Sequence, residues 1–200
     1  MKHAASTRRR RVRRALLAAH GALLVAACVP LPVRDARDVA ARAPQPAFLI
    51  EGRLSATDGR EAASGRFEWS HAPAHDRLTL FSPLGQVVAR LDGDRAGARL
   101  VSADGTRRDA VDVDTLLPAV LGIDLPAPRL PRWVQAAPDA DAEVRTRDSS
   151  GRPQLVIDQG WRIDYLGYAD DTAAALPQRL DISRGDARLR LIIDSWTTQP

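Results

Sequence analysis

Residues 48–54 read Phe-Leu-Ile-Glu-Gly-Arg-Leu and residues 65–69 read Gly-Arg-Phe-Glu-Trp. In the first stretch Phe48, Ile50, Gly52 and Leu54 alternate with Leu49, Glu51 and Arg53. In the second, Gly65, Phe67 and Trp69 alternate with Arg66 and Glu68. A repeat of two is the period of a β-strand with one covered face, whereas a helix places its apolar residues three and four apart. Further runs at 77–81, 86–91 and 98–102 are divided by Pro83-Leu84-Gly85, Gly93 and Asp104-Gly105, turn signals at hairpin distances. Five short strands in succession predict an antiparallel meander. The same style returns at 144–147, 154–158, 161–165, 179–183 and 188–194, with Asp170-Asp171 and Arg184-Gly185-Asp186 as turns. The fold class is mainly β.

Between the two groups of strands, 113–121 and 127–136 are expected to be helical, with Asp112 or Asp114 as the first N-cap and a proline-rich link at 124–131. Leu116, Leu117, Val120 and Leu121 form one apolar side, Trp133 and Val134 another. Two short amphipathic helices laid across a curling sheet plug one end of a barrel. Whether they leave a packed core or a cavity is a question of volume, and packing is the ordinary outcome. No internal repeat is visible.

The N-terminus has a different character. Lys2, Arg8, Arg9, Arg10, Arg11, Arg13 and Arg14 precede an apolar run from Ala15 to Ala27, which ends in Leu-Val-Ala-Ala before Cys28. A basic start, a short apolar stretch and small residues make an export signal, and the apolar run is too short to span a bilayer. Cys28 is the only cysteine, so it has no disulfide partner and no companions for a metal cluster. Lipidation of Cys28 is the use that remains. Residues 1–27 are therefore expected to be a lipoprotein signal peptide that is removed. The twin-arginine pattern at Thr7-Arg8-Arg9 is matched by any arginine run, and the general secretory route is favoured. Residues 28–46, carrying Pro30, Pro32, Pro44 and Pro46, suit an extended tether. Residues 47–200 then form a single domain of about 150 residues, enough chain for one core.

The leader also distorts the overall charge. The formal net charge is +4, and taking away the seven leader cations leaves −3 for residues 28–200. The sequence pI near 10.1 thus belongs to the precursor. It implies no nucleic-acid-binding face.

Chemistry-bearing residues are sparse. Of the four histidines only His71 and His75 follow the leader, in the segment His71-Ala72-Pro73-Ala74-His75-Asp76. Pro73 disfavours the helix that would align them as a metal-binding pair, and both are expected to be exposed loop residues. Ser82, His75 and Asp76 can be drawn as a hydrolase triad, but no nucleophile elbow surrounds Ser82. No glycine-rich phosphate loop is present either. No catalytic residue, metal or cofactor is assigned, and an enzyme is not expected.

The ordered set of motifs carries a resemblance. Phe48–Leu54 (FLIEGRL), Arg66–Trp69 (RFEW), Leu78–Gln86 (LTLFSPLGQ), Leu121-Gly122, Leu130–Val134 (LPRWV), Gly160–Tyr165 (GWRIDY), Leu176-Pro177 and Leu189–Trp196 (LRLIIDSW) are similar, in order, to the outer-membrane lipoprotein LolB family. The resemblance implies an unclosed antiparallel β-barrel of about ten to eleven strands, with short helices across or inside it and an apolar cavity for acyl chains. It implies a receptor that takes lipoproteins from a LolA-like periplasmic carrier and inserts them into the outer membrane. The partners are then the carrier, client lipoproteins held by their acyl chains, and the outer membrane through the lipid anchor, with the protein acting as a monomer facing the periplasm. Val29 after the lipidated cysteine, in place of aspartate, agrees with outer-membrane location.

The resemblance also assigns Pro83, Leu84 and Gly85 to a membrane-insertion loop with Leu84 exposed at its tip, whereas the residues alone favour a turn with Leu84 folded onto the sheet. Such a tip is expected beside the cavity opening. Candidate cavity residues are the covered-face positions Leu54, Phe67, Trp69, Leu78, Leu80, Val88, Leu100, Trp133, Ile163, Tyr165, Leu180, Ile182, Leu191 and Ile193, most of which are expected to be core. A passive envelope lipoprotein acting as a scaffold is the alternative, and a lipid hydrolase a more distant one.

Overall fold

The computed structural model describes residues 42–198. The expected signal peptide, Cys28 and most of the tether lie outside the described residues. Eleven strands form one antiparallel sheet: β1 (Phe48–Thr57), β2 (Ala62–Ala72), β3 (His75–Phe81), β4 (Val87–Asp94), β5 (Gly97–Ser102), β6 (Arg107–Ala110), β7 (Glu143–Arg147), β8 (Pro153–Asp158), β9 (Trp161–Tyr168), β10 (Pro177–Arg184) and β11 (Ala187–Thr198). Their order is β6-β5-β4-β3-β2-β1-β11-β10-β9-β8-β7. Strands that pair in space are thus neighbours in sequence, except where β1 meets β11 and joins the two meanders into one sheet. Phe48 faces Thr198 and Thr57 faces Arg188 in that central pair.

The ends of the sheet, β6 and β7, do not pair with each other, so the barrel is unclosed. The chain crosses between them through α1 (Val113–Leu121), a 3₁₀ turn (Ala127–Arg129) and α2 (Leu130–Val134). Asp112 caps α1, accepting from the Thr115 backbone N–H at 2.9 Å. Asp114, the other candidate cap, instead accepts from the Ala127 N–H at 2.6 Å and ties the link back to α1. Gly93 lets the helix seat closely on β4, because a Cβ there would lie 2.3 Å from Val113 Cγ2.

One expectation is shortened and one strand is added. The second helical segment runs without a break from Ala127 to Val134, opening as the 3₁₀ turn and continuing as α2, and stops short of 136 because Ala136 leaves the helical region at φ +51°. β6, with the sequence Arg-Arg-Asp-Ala, is an additional strand that shows no apolar alternation because its residues are largely exposed.

Buried side chains from both meanders meet the helices on the concave side of the sheet. Ile50, Trp133, Val134, Val156, Ile163, Leu180 and Ile182 have no measurable exposure. Burial of each such side chain contributes about 1.5–3 kcal/mol.

Candidate functional site: an apolar cavity and an exposed loop

Under α1 and α2 the concave face is not filled evenly. A cavity of about 400 Å³ lies against β1–β4 and β11, lined by Leu54, Phe67, Trp69, Leu78, Leu91, Leu189 and Leu191 from the sheet and by Leu117, Leu121, Leu130 and Val134 from the helical segment. That volume lies within the roughly 300–1,000 Å³ of ordinary ligand sites. Its polar lining comes from one end: His71, His75 and Asp76 at the β2–β3 hairpin, Asp94 and Arg95 at the β4–β5 hairpin, and Asp112 and Asp114 at the start of α1.

Five of the sequence-chosen cavity positions line this space, namely Leu54, Phe67, Trp69, Leu78 and Leu191. Eight do not: Leu80, Leu100, Trp133, Ile163, Tyr165, Leu180, Ile182 and Ile193 are buried in the packed core. Val88 is corrected outright, being 38% exposed on the outer face. A bulge explains it. Leu80 pairs with Ala89 but Phe81 pairs with Val87, so Val88 is skipped in the register and β4 turns both valines to solvent.

Trp69 is held at the rim by an edge-on contact with Phe48, 5.1 Å between ring centroids, and by donating its Nε1–H to Asp76 at 3.0 Å. His71 Nδ1 lies 2.7 Å from the same carboxylate. His71 is therefore not an exposed loop residue. It belongs to β2, with its side chain 18% exposed, whereas His75 is more open at 45%. Ser82 sits at the far end of β3 from His75, so the paper triad is not assembled. Among the described residues no group of three or more metal-ligating side chains converges.

The opposite half of the sheet is solid. Trp133 and Trp161 pack 6.2 Å apart. Trp133 donates to buried Asp158 at 2.6 Å, and the Tyr165 hydroxyl donates to the Trp133 carbonyl at 2.8 Å. Burial pushes the Tyr165 hydroxyl well above the ordinary tyrosine range, keeping it a donor. Arg129, held charged chiefly by its bonds to Asp141, lies 3.6 Å from Asp158 and supplies the countercharge. Gln135, which sequence reasoning missed, fastens the entry of the chain: its side chain accepts from the Gln45 N–H at 2.7 Å and donates to the Gln45 carbonyl at 3.2 Å. A lone glutamine after an apolar turn gives no signal for this role.

Pro83, Leu84 and Gly85 form the tight β3–β4 connection. The Ser82 N–H donates to the Gln86 carbonyl at 2.8 Å and the Gly85 N–H to the Ser82 carbonyl at 2.9 Å. Gly85 takes φ +83°, which a side chain would strain. Leu84 is 89% exposed and does not fold back onto the sheet. The loop is not beside the polar rim: the seven residues of β3, about 20 Å of strand, separate it from the β2–β3 hairpin. None of residues 82–88 lines the cavity.

The profile of the family described as "Outer membrane lipoprotein LolB" matches residues 46–196. The chain is 51% identical over 190 residues to an outer-membrane lipoprotein LolB of Azoarcus sp. (strain BH72), covering 94% of this chain and 96% of that one. It is 39% identical over 176 residues to the LolB of Thiobacillus denitrificans, covering 87% of each chain. Among solved structures, a LolA superfamily protein from Nitrosomonas europaea overlays with a TM-score of 0.44 and 8% identity over 80% of this chain and 89% of that one.

Proposed function

The chain belongs to the LolB family of outer-membrane lipoproteins, and from that footing we propose that it receives lipoproteins from a LolA-like periplasmic carrier, shelters their acyl chains in the cavity under α1 and α2, and releases them into the outer membrane. The family is one of lipoprotein localisation and not of enzymes. The observation that carries the reading is the unevenly filled sheet: one half packed solid, the other leaving about 400 Å³ bordered by aliphatic and aromatic side chains with a polar rim at one end.

The physical need for such a space follows from transfer energies. Each methylene kept from water contributes about 0.8 kcal/mol, so a long acyl chain represents on the order of 10 kcal/mol, which excludes passage through free water. Hand-over between two cavities avoids that cost. A preference of about 1.4 kcal/mol for the receiving cavity biases the transfer tenfold, with no nucleotide required.

Cys28 carries the lipid anchor in this reading, residues 28–46 are the tether, and Leu84 enters the membrane at the loop tip. The position of the loop supports a division of labour. Client contacts occupy the cavity, membrane contact falls on Leu84 about 20 Å away along β3, and a change at one surface leaves the other intact. The test follows the client from loaded carrier to protein and then to vesicles. Leu84→Glu accepts client as the wild type does and delivers little. Failure of the wild-type protein to accept any client from its own carrier would overturn the reading and leave a scaffold in its place.

A further inference from the structure

The outer face of the sheet carries its arginines in two arrangements. Over much of that face they are neutralised: Arg77 lies 2.5 Å from Asp92, Arg99 2.6 Å from Asp109, Arg162 2.6 Å from Asp164, Arg190 2.8 Å from Asp181 and Arg53 2.9 Å from Asp194. Exposed Arg179 on β10 and Arg188 on β11 stand apart, each without a carboxylate within ion-pair distance among the described residues. At the β3–β4 end of the sheet three such arginines occur together. Arg66 on β2 stands opposite Phe81 at the base of the loop. Arg90 on β4 lies two residues beyond Val88 and faces Val101, which in turn faces Arg107 on β6. All three arginines are exposed, and among the described residues none has a carboxylate within ion-pair distance. The nearby Asp104 is turned onto its own hairpin, accepting from the Thr106 N–H at 2.8 Å.

Beside this row, at the loop itself, the surface is apolar. Leu84 is 89% exposed, Val87 41% and Val88 38%, the two valines brought out together by the bulge. An apolar tip flanked by three unneutralised guanidinium groups on β2, β4 and β6 matches the boundary of a bilayer, where acyl chains lie beneath a layer of phosphate. Guanidinium is the side chain best shaped for phosphate oxygens.

We propose that Arg66, Arg90 and Arg107 form a cationic collar that binds the headgroup phosphates of anionic phospholipids, so that the Leu84 loop docks preferentially on a negatively charged bilayer. The proposal rests on the reading of Leu84 as the membrane-contacting residue. The collar supplies long-range attraction and orientation, and the leucine and valines supply contact with the acyl layer.

The experiment measures partition of the protein onto vesicles of phosphatidylcholine alone or with 30% phosphatidylglycerol. A chain starting at Val29 keeps every described strand, helix and core residue and removes the lipid anchor from the readout, and its urea unfolding midpoint is matched to that of the full chain before vesicles are added. Wild type should favour the anionic vesicles, and each Arg→Gln change should reduce that preference about fivefold, with Arg66→Gln/Arg90→Gln/Arg107→Gln losing nearly all of it. Raising the salt should do the same to the wild type. Binding to neutral vesicles and client uptake from the carrier should not change. Equal partition onto both vesicle types, or an anionic preference untouched by the triple change, overturns the collar. Loss of client uptake with vesicle binding intact also overturns it and assigns the arginines to the carrier. Failure of the Leu84 reading shows differently: Leu84→Glu would then deliver client as the wild type does, whatever the collar variants do.

Discussion

Trp133 and Trp69 each donate an indole N–H to an aspartate, yet they sit in opposite kinds of surroundings. Trp133 is fully buried, its partner Asp158 is 1% exposed, and Trp161, Ile163 and Tyr165 close around it. Trp69 is partly exposed, its partner Asp76 stands at the rim, and its ring borders open space with Leu78 and Leu191. One half of the sheet thus works as a keystone and the other as a container. A cavity cannot be supported by what it lacks, so the stability of the whole rests on the half that contributes nothing to binding.

Substitutions separate the two halves. The largest effect is expected at Trp133→Ala, which removes a packed aromatic ring at a cost of about 3–5 kcal/mol and leaves the Asp158 carboxylate without its indole donor. Urea unfolding should show a large drop in midpoint. Trp69→Ala should cost clearly less, because one side of its ring already faces space and has fewer contacts to lose.

Enlargement gives the sharper contrast. Ile182→Trp overpacks the solid half and should destabilise by about 1–3 kcal/mol or more. Leu78→Trp grows into the cavity and should cost under about 1 kcal/mol, while client uptake from the carrier falls at least tenfold. If both substitutions destabilise equally, the two halves do not differ as described.

Leu84→Glu should leave the unfolding midpoint unchanged within about 0.5 kcal/mol, because the side chain touches almost nothing, and its effect should appear only in delivery. The smallest effect on delivery is expected at Gly85→Ala, where φ +83° imposes a stability cost of about 1 kcal/mol at a position with no neighbour within 4 Å of a new Cβ. Delivery should persist, since the loop keeps its leucine.

The strands were legible because alternation survives in any order of reading: Phe48, Ile50 and Leu54 on β1, and Ile163 and Tyr165 on β9, are buried where period two places them. The first helix was legible from its cap and its apolar side. What local pattern could not carry was the pairing of β1 with β11, which joins residues more than a hundred positions apart. It also could not carry the division between cavity and core. Leu78 and Leu180 look alike in sequence, both being inward leucines of a strand, and only the placement of α1 and α2 gives one an empty neighbour and the other a full one. Val88 was misread for a different reason: a bulge shifts the phase of alternation by one residue and leaves no mark in composition. His71 was misread because Pro73 suggested a loop, whereas the turn is confined to the residues beside it and β2 runs on to Ala72.

The central claim is that the space beneath α1 and α2 holds acyl chains. It is tested most directly by crystallising the protein with a lipoprotein-derived lipid whose acyl chain ends in bromine and locating the anomalous signal. The account predicts bromine on the concave side, among Trp69, Leu78 and Leu191. Bromine on the outer face, or a cavity left empty by protein that has demonstrably taken client from its carrier, would contradict it.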